Sequence, residues 1–185
     1  MAKNNDPKKV ITSWDTRWSY ANVWEAKGID GSKPAWSVSL IIKKDDPCIE
    51  KIKKAIQAAY EDGASILKGT GKTVPPLAAI NSPLNDGDEK RPDDPAYAGA
   101  YYLNAKNYQR APGIVDVNKQ DILDHSEVYS GVYGRACIAF FCYNKNGNKG
   151  IGCSLLHLQK GRDGEPLGGF TRAEDEFDDD EDFLS

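Results

Sequence analysis

From Ala100 to Arg110 the chain reads Ala-Tyr-Tyr-Leu-Asn-Ala-Lys-Asn-Tyr-Gln-Arg. Side chains of a strand alternate between its faces, which gathers Tyr102, Asn104, Lys106, Tyr108 and Arg110 on one side and leaves Tyr101, Leu103 and Ala105 on the other. The stretch from Ser130 to Tyr143 divides in the same way. Val132, Ala136, Ile138, Phe140 and Cys142 form an apolar set suited to a core, opposed by Tyr133, Arg135, Phe141 and Tyr143. Rings interleaved with cations and an amide offer non-covalent chemistry: flat side chains stack on unpaired bases while basic groups follow the phosphates. The competing reading of the second set is a small extra core under a loop. Arg17, Tyr20, Trp24 and Lys43, on earlier segments, complete the face expected to meet such a ligand.

Bond-making chemistry finds less support. The chain has two histidines, no Gly-x-Ser-x-Gly elbow, and no carboxylate pair framed by a helix or strand. Lys68-Gly-Thr-Gly-Lys-Thr73 resembles a phosphate loop, but Ile66 stands where that pattern places its first glycine, and the segment follows a helix instead of leading a strand into one. Cys137, Cys142, Cys153 and His157 could be counted as zinc ligands, yet Cys137 and Cys142 have opposite strand parity and the pairs lack knuckle spacing. Asp86, Asp88 and Glu89 could approach a divalent ion, but Lys90 and Arg91 interrupt the spacing of a calcium loop. The expectation is a binding protein without cofactor or metal. A metal-dependent nuclease, or another nucleic-acid enzyme using the acidic loop 86–94, is the second class.

The elements that must carry these residues are mostly strands. Asn146-Gly147 between two β-prone runs predicts a hairpin, with strands at about Val132–Tyr143 and Gly150–Lys160. Thr12 to Ala26 places Trp14, Trp18, Tyr20 and Trp24 at even positions, a strand pattern that a bulge would redistribute between faces. Gly28 to Pro34 is turn chemistry, followed by a half-buried strand with Trp36, Val38, Leu40 and Ile42 alternating, ending at Lys43 and Lys44. Asp45-Asp46-Pro47 then starts a helix in which Ile49, Ile52, Ile56, Ala59 and Tyr60 recur at helical spacing, predicted to run from Pro47 to about Leu67. Residues 68–99, with five prolines between 74 and 96, read as an extended surface insertion. A short strand at Ile114–Val117 precedes the hairpin, and a glycine-rich exit follows Lys160. The chain is therefore expected to be mainly β with one helix: residues 1–9 flexible, 10–169 one domain, 170–185 a tail.

Charge is distributed unevenly along the 185 residues. The net charge of −4 would argue against a polyanionic partner, but eight acids follow Arg172 with no base among them, and the remainder carries 24 bases against 20 acids. A basic body with an acidic tail can set the tail against nucleic acid in a basic groove, or reach basic partners; the alternative is a solubilising end. No run of eighteen apolar residues occurs, and Met1 to Lys9 lacks the apolar stretch of a signal peptide, so a soluble, cytosolic protein with reduced thiols at Cys48, Cys137, Cys142 and Cys153 is expected.

The segments Ser19-Tyr-Ala-Asn-Val23, Ser37-Val-Ser-Leu-Ile-Ile42, Asn85-Asp-Gly-Asp-Glu89, Ser130-Gly-Val-Tyr-Gly-Arg-Ala136, Asn146-Gly-Asn-Lys-Gly-Ile151 and Asp163-Gly-Glu-Pro-Leu-Gly-Gly169 resemble a bacteriophage single-stranded-DNA-binding protein family, long catalogued as a domain of unknown function. The likeness runs in order over nearly the whole chain. It implies an OB-fold, that is, an antiparallel barrel here with a helix, a long surface insertion and an acidic C-terminal tail. It further implies sequence-tolerant binding of single strands in phage replication, recombination or repair, in the cytoplasm of the bacterial host, and homodimers. The family brings no catalytic residues. The tail is similar to those of single-strand binders that dock replication or recombination proteins of phage or host; here Asp178, Asp179, Asp180, Glu181, Asp182 and Phe183 are the expected docking residues, with Phe183 followed by Leu184-Ser185 instead of ending the chain.

Overall fold

Asn146 and Gly147 both take positive φ, 52° and 86°, as a two-residue hairpin turn of the favoured hand requires. They join the two longest strands of a computed structural model that describes residues 5–28 and 31–167. The strands are β1 (Lys9–Ile11), β2 (Arg17–Lys27), β3 (Ala35–Lys43), β4 (Leu84–Asp86), β5 (Ala100–Asn107), β6 (Gly113–Val115), β7 (Tyr133–Lys145) and β8 (Asn148–Arg162). Strands β2, β3, β5, β8 and β7 pair in that order, and β7 returns to β2 through Arg17 and Tyr133, closing a ring. Strand β1 adds to β7, β4 to β5, and β6 runs parallel to β8. Ring closure removes most free strand edges.

The interior follows the alternation along β7: Val132, Ala136, Ile138, Phe140 and Cys142 are all buried. They meet Trp18, Val23, Val38, Leu40, Ile42, Leu103, Ala105, Leu155 and Leu158 from the facing strands. Trp18 is completely buried, its indole N–H donating to the Gly134 carbonyl at 3.1 Å. The first helix, α1 (Cys48–Asp62), lays Ile49, Ile52, Ala55, Ile56 and Ala59 on this core. Each fully buried Leu or Ile contributes about 1.5–3 kcal/mol.

The helix begins where Asp46-Pro47 predicts, with the Asp46 carboxylate accepting the Cys48 N–H at 2.8 Å. It does not run unbroken to Leu67. Gly63, at φ −100° and ψ 19°, interrupts it, and a second helix, α2 (Ala64–Lys68), follows. The position lies close against the barrel: a Cβ at position 63 would stand 2.5 Å from Cys142 Sγ.

Strand β2 departs from its even parity. Pairing passes from Ser19↔Ser39 to Asn22↔Ser37, a bulge with Tyr20 at φ 47°, so Trp18 and Val23 both point inward while Tyr20 turns out. The insertion also differs from an extended loop. It contributes β4, a short helix α3 (Gly87–Lys90) and a helical turn, Pro95–Tyr97, in which the Ala96 N–H donates to the Asp94 carboxylate at 3.1 Å. Tyr97 is buried against the outer wall, donating its hydroxyl to Ser39 Oγ at 3.1 Å. It covers Ile41, Ala100 and Tyr102, so the outer side of β3, expected to be open, holds a second small core.

Candidate nucleic-acid interface

Five of the residues that alternation singled out converge at the hairpin end of the barrel. A cleft of about 640 Å³ is lined by Asn104, Lys106, Tyr108, Phe141 and Tyr143, with Lys145, Asn148 and Ser154 around them. Strand β5 reaches it through parallel pairing of Lys106 with Ser154. Asn107 then turns the chain: its Oδ1 accepts the N–H groups of Gln109 and Arg110, each at 3.0 Å, and its amide donates to the Leu155 carbonyl at 3.1 Å. That turn sets exposed Tyr108 at the cleft edge, where Lys33 Nζ lies 5.7 Å from the ring centre.

Two glycines shape the floor. Phe141 pairs across the strands with Gly152, and Tyr143 with Gly150. A Cβ on Gly152 would stand 2.4 Å from Phe141 Cζ, and one on Gly150 would stand 2.6 Å from the Tyr143 hydroxyl. Both side chains reach over positions of β8 that carry no side chain, and Phe141 stays 46% exposed. This arrangement offers stacking surface beside the ammonium of Lys106 and the amide of Asn104. The alternating Gly150-x-Gly152 is the signal in the sequence for this floor.

The other expected residues lie elsewhere. Tyr102 has the predicted parity, beside Asn104 and Lys106, but is 6% exposed beneath the insertion. Arg91 covers it: the guanidinium carbon lies 5.0, 4.9 and 5.5 Å from the ring centres of Tyr20, Tyr97 and Tyr102, and Nη1 donates to the Tyr20 hydroxyl at 3.1 Å. Trp24 stacks flat on His125, 4.1 Å between ring centres, and donates to the His125 carbonyl. Arg17, Tyr133 and Arg135 sit at the far end of β7, and Lys43 and Arg110 are exposed at the ends of their segments. A further cleft of about 530 Å³ beside the bulge is lined by Tyr20, Asn22, Lys27 and Asp94, and by Pro166 and Leu167, where the described chain ends. The tail residues Asp178 to Phe183 lie outside the described residues.

The acidic loop is already occupied. Lys44 Nζ bridges Asp86 and Asp88 at 2.9 and 2.8 Å, which holds both carboxyls below the usual range and raises the lysine. Cys142 and Cys153 face the core while Cys137 and His157 pair on the outside, so these four cannot share one ion. Among the described residues no group of three His, Cys, Asp or Glu is placed to hold a metal. Burial pushes all four thiols up, which keeps them protonated, and none forms a disulfide. No described helix is long and apolar enough to cross a membrane.

Fold and site together define an OB-like β-barrel with a cleft of rings and cations on its outer wall. The chain belongs to the family described as Enterobacter phage Enc34, ssDNA-binding protein, whose model matches residues 8–184. A curated relative, "Putative protein p50" of Acyrthosiphon pisum secondary endosymbiont phage 1, is 35% identical over 148 residues, 76% of each chain. Among solved structures, the single-stranded DNA-binding protein of bacteriophage Enc34 in complex with ssDNA superposes with a TM-score of 0.74 at 23% identity, covering 87% of this chain and 90% of that one. Gp2.5, a single-stranded DNA binding protein encoded by bacteriophage T7, superposes with a TM-score of 0.62 at 15% identity, covering 94% and 96%. At these identities the superpositions speak for the fold.

Proposed function

We propose that this protein binds single-stranded DNA without sequence preference and serves phage DNA replication, with recombination and repair as related settings. One observation carries the reading: Phe141 reaches over Gly152 and the Tyr143 hydroxyl over Gly150, in a cleft that also holds Asn104, Lys106 and Tyr108. Every base has a π-face, so stacking on such rings tolerates any sequence and contributes about 1–3 kcal/mol per well-placed base. Lys106, Lys145 and Lys33 supply positive charge for phosphates at the same edge. Duplex bases are already stacked on one another and do not offer their faces. Family membership supports the same ligand, since the family is described by single-strand binding. The protein is proposed to act by holding its strand, with no covalent step, and the engagement of Asp86 and Asp88 by Lys44 leaves the acidic loop poorly suited to nuclease chemistry.

The test is a titration of labelled single-stranded DNA, duplex and RNA over a range of salt. Single strands bind in preference to duplex, and log K falls linearly with log salt with a slope of about −0.7 per phosphate neutralised. Equal affinity for duplex, or no binding to oligothymidine in dilute buffer, overturns the proposal.

A further inference from the structure

The exterior of β7 does not end at the cleft. By its alternation the same face carries Tyr133, Arg135, Cys137, Ala139, Phe141 and Tyr143, and its far end holds a second assembly of rings and cations. There two guanidiniums approach the Tyr133 ring, Arg17 at 5.2 Å and Arg162 at 4.1 Å from its centre. Beside it, the Arg135 guanidinium lies 4.4 Å over the Trp14 ring and is fixed by two hydrogen bonds to Gln159 Oε1, at 3.2 and 2.6 Å. Trp14 also approaches Gly161, where a Cβ would come within 2.9 Å of the ring, and stays 40% exposed. The glycine-under-ring device of the cleft is thus repeated.

The ground between is low and positively flanked. Cys137 and Ala139 are small, and Lys9 of β1 pairs beside Ala139. From Tyr133 to Phe141 is eight residues, about 26 Å of strand. Arg17 spends its donors on the Gly131 and Glu165 carbonyls, and Arg162 shares Asp15 at 3.1 Å but keeps an exposed side chain.

We infer that Trp14, Tyr133, Arg135 and Arg162 form a second single-strand station, and that one DNA strand running along the outside of β7 occupies both it and the hairpin cleft. The inference rests on the single-strand reading of the cleft and adds to it a length rule. A strand of about four nucleotides fills one station, and one of about twelve spans both, within the range of sites on OB folds. Charge complementarity and continuity with the cleft along one strand face identify the occupant as the same nucleic acid.

The test compares oligothymidines of about four and about twelve residues on the full-length protein, unaltered and as Trp14→Ala and Arg162→Ala. Expected is a roughly tenfold loss of affinity for the long oligonucleotide in each variant. The ratio of long to short affinity should fall accordingly, with little change on the short one, which the cleft holds. Partial unfolding would weaken both lengths alike, so an unchanged ratio overturns the second station, as does an unchanged affinity for the long strand. Phe141→Ala run in parallel separates the two readings. If it weakens both lengths while the other two variants keep the unaltered ratio, the cleft reading survives and the second station does not. If the unaltered protein binds neither length, both readings fall.

Discussion

Arg91 lies over Tyr102, its guanidinium carbon 5.5 Å from the ring centre, and so closes from outside a side chain that strand alternation would leave open to solvent. The insertion acts here as packing. Tyr102→Ala is expected to cost about 3–5 kcal/mol of stability, as truncations of buried aromatics do, whereas Tyr102→Phe should bind single-stranded DNA as the unaltered protein does. Urea unfolding and a DNA titration on both variants check this; a large affinity loss in Tyr102→Phe would place the hydroxyl in the binding surface.

Phe141 and Tyr143 behave oppositely. Phe141→Ala and Tyr143→Ala should each weaken single-strand binding by about 1–3 kcal/mol. Phe141→Ala should hardly move the urea midpoint, because that ring is already half in water. Gly152→Val should reproduce the loss without touching a ring, since the new side chain needs the space across which Phe141 lies.

At position 63 helix propensity and packing make opposing demands. Alanine is favoured over glycine by about 1 kcal/mol within a helix. Its Cβ would nevertheless meet Cys142 Sγ and Cβ at 2.5 and 2.6 Å. Gly63→Ala is therefore expected to destabilise by about 1–3 kcal/mol, the usual cost of overpacking, measured by chemical denaturation. A stabilised variant would mean that helix and barrel separate easily.

The Lys44 bridge gives the insertion a pH dependence. Asp86 and Asp88 titrate below their ordinary value of about 3.9 because the folded state pairs them with Lys44. Their contribution is present above that pH and is lost as pH falls through the lowered values. Lys44 is raised, so its contribution is complete below about 10.4 and is lost only above the folded value. The Gly99 N–H donates to Asp88 Oδ1 at 3.0 Å, and its chemical shift should titrate below pH of about 4. In Lys44→Ala the same transition should move upward.

Removing residues 174–185 takes away eight acids and leaves a positively charged body. Single-strand affinity should rise, most at low salt, if the tail competes for the cleft. Unchanged or weaker binding in a titration would leave the tail a solubilising or partner-docking role only.

How much of this was legible depended on whether a strand ran uninterrupted. The two faces of β7 were readable residue by residue, because its core side keeps one alternation from Val132 to Cys142. Along β2 one extra residue at Tyr20 reversed the faces, and nothing local in Ser-Tyr-Ala-Asn declares a bulge. Tyr102 was assigned to the correct side, but its cover, Arg91 and Tyr97, arrives from a segment whose prolines and charges suggested only a solvated loop. Gly63 resembles an ordinary helical position because Cys142, which leaves no room for a Cβ there, lies far along the chain. Local pattern specified the elements; which faces were covered was decided by contacts between distant segments.

The pairing that closes the ring joins segments far apart in the chain. Trp18 finds its indole acceptor 116 residues later, at Gly134, and β8 must follow before the barrel is complete. A chain emerging from the ribosome would therefore present β2, β3 and β5 as an open sheet, with neither Gly150 nor Gly152 yet available to floor the cleft. Pairings so distant in sequence slow folding and leave strand edges unpaired meanwhile. Nascent copies would be unable to grip a strand until β8 had been translated.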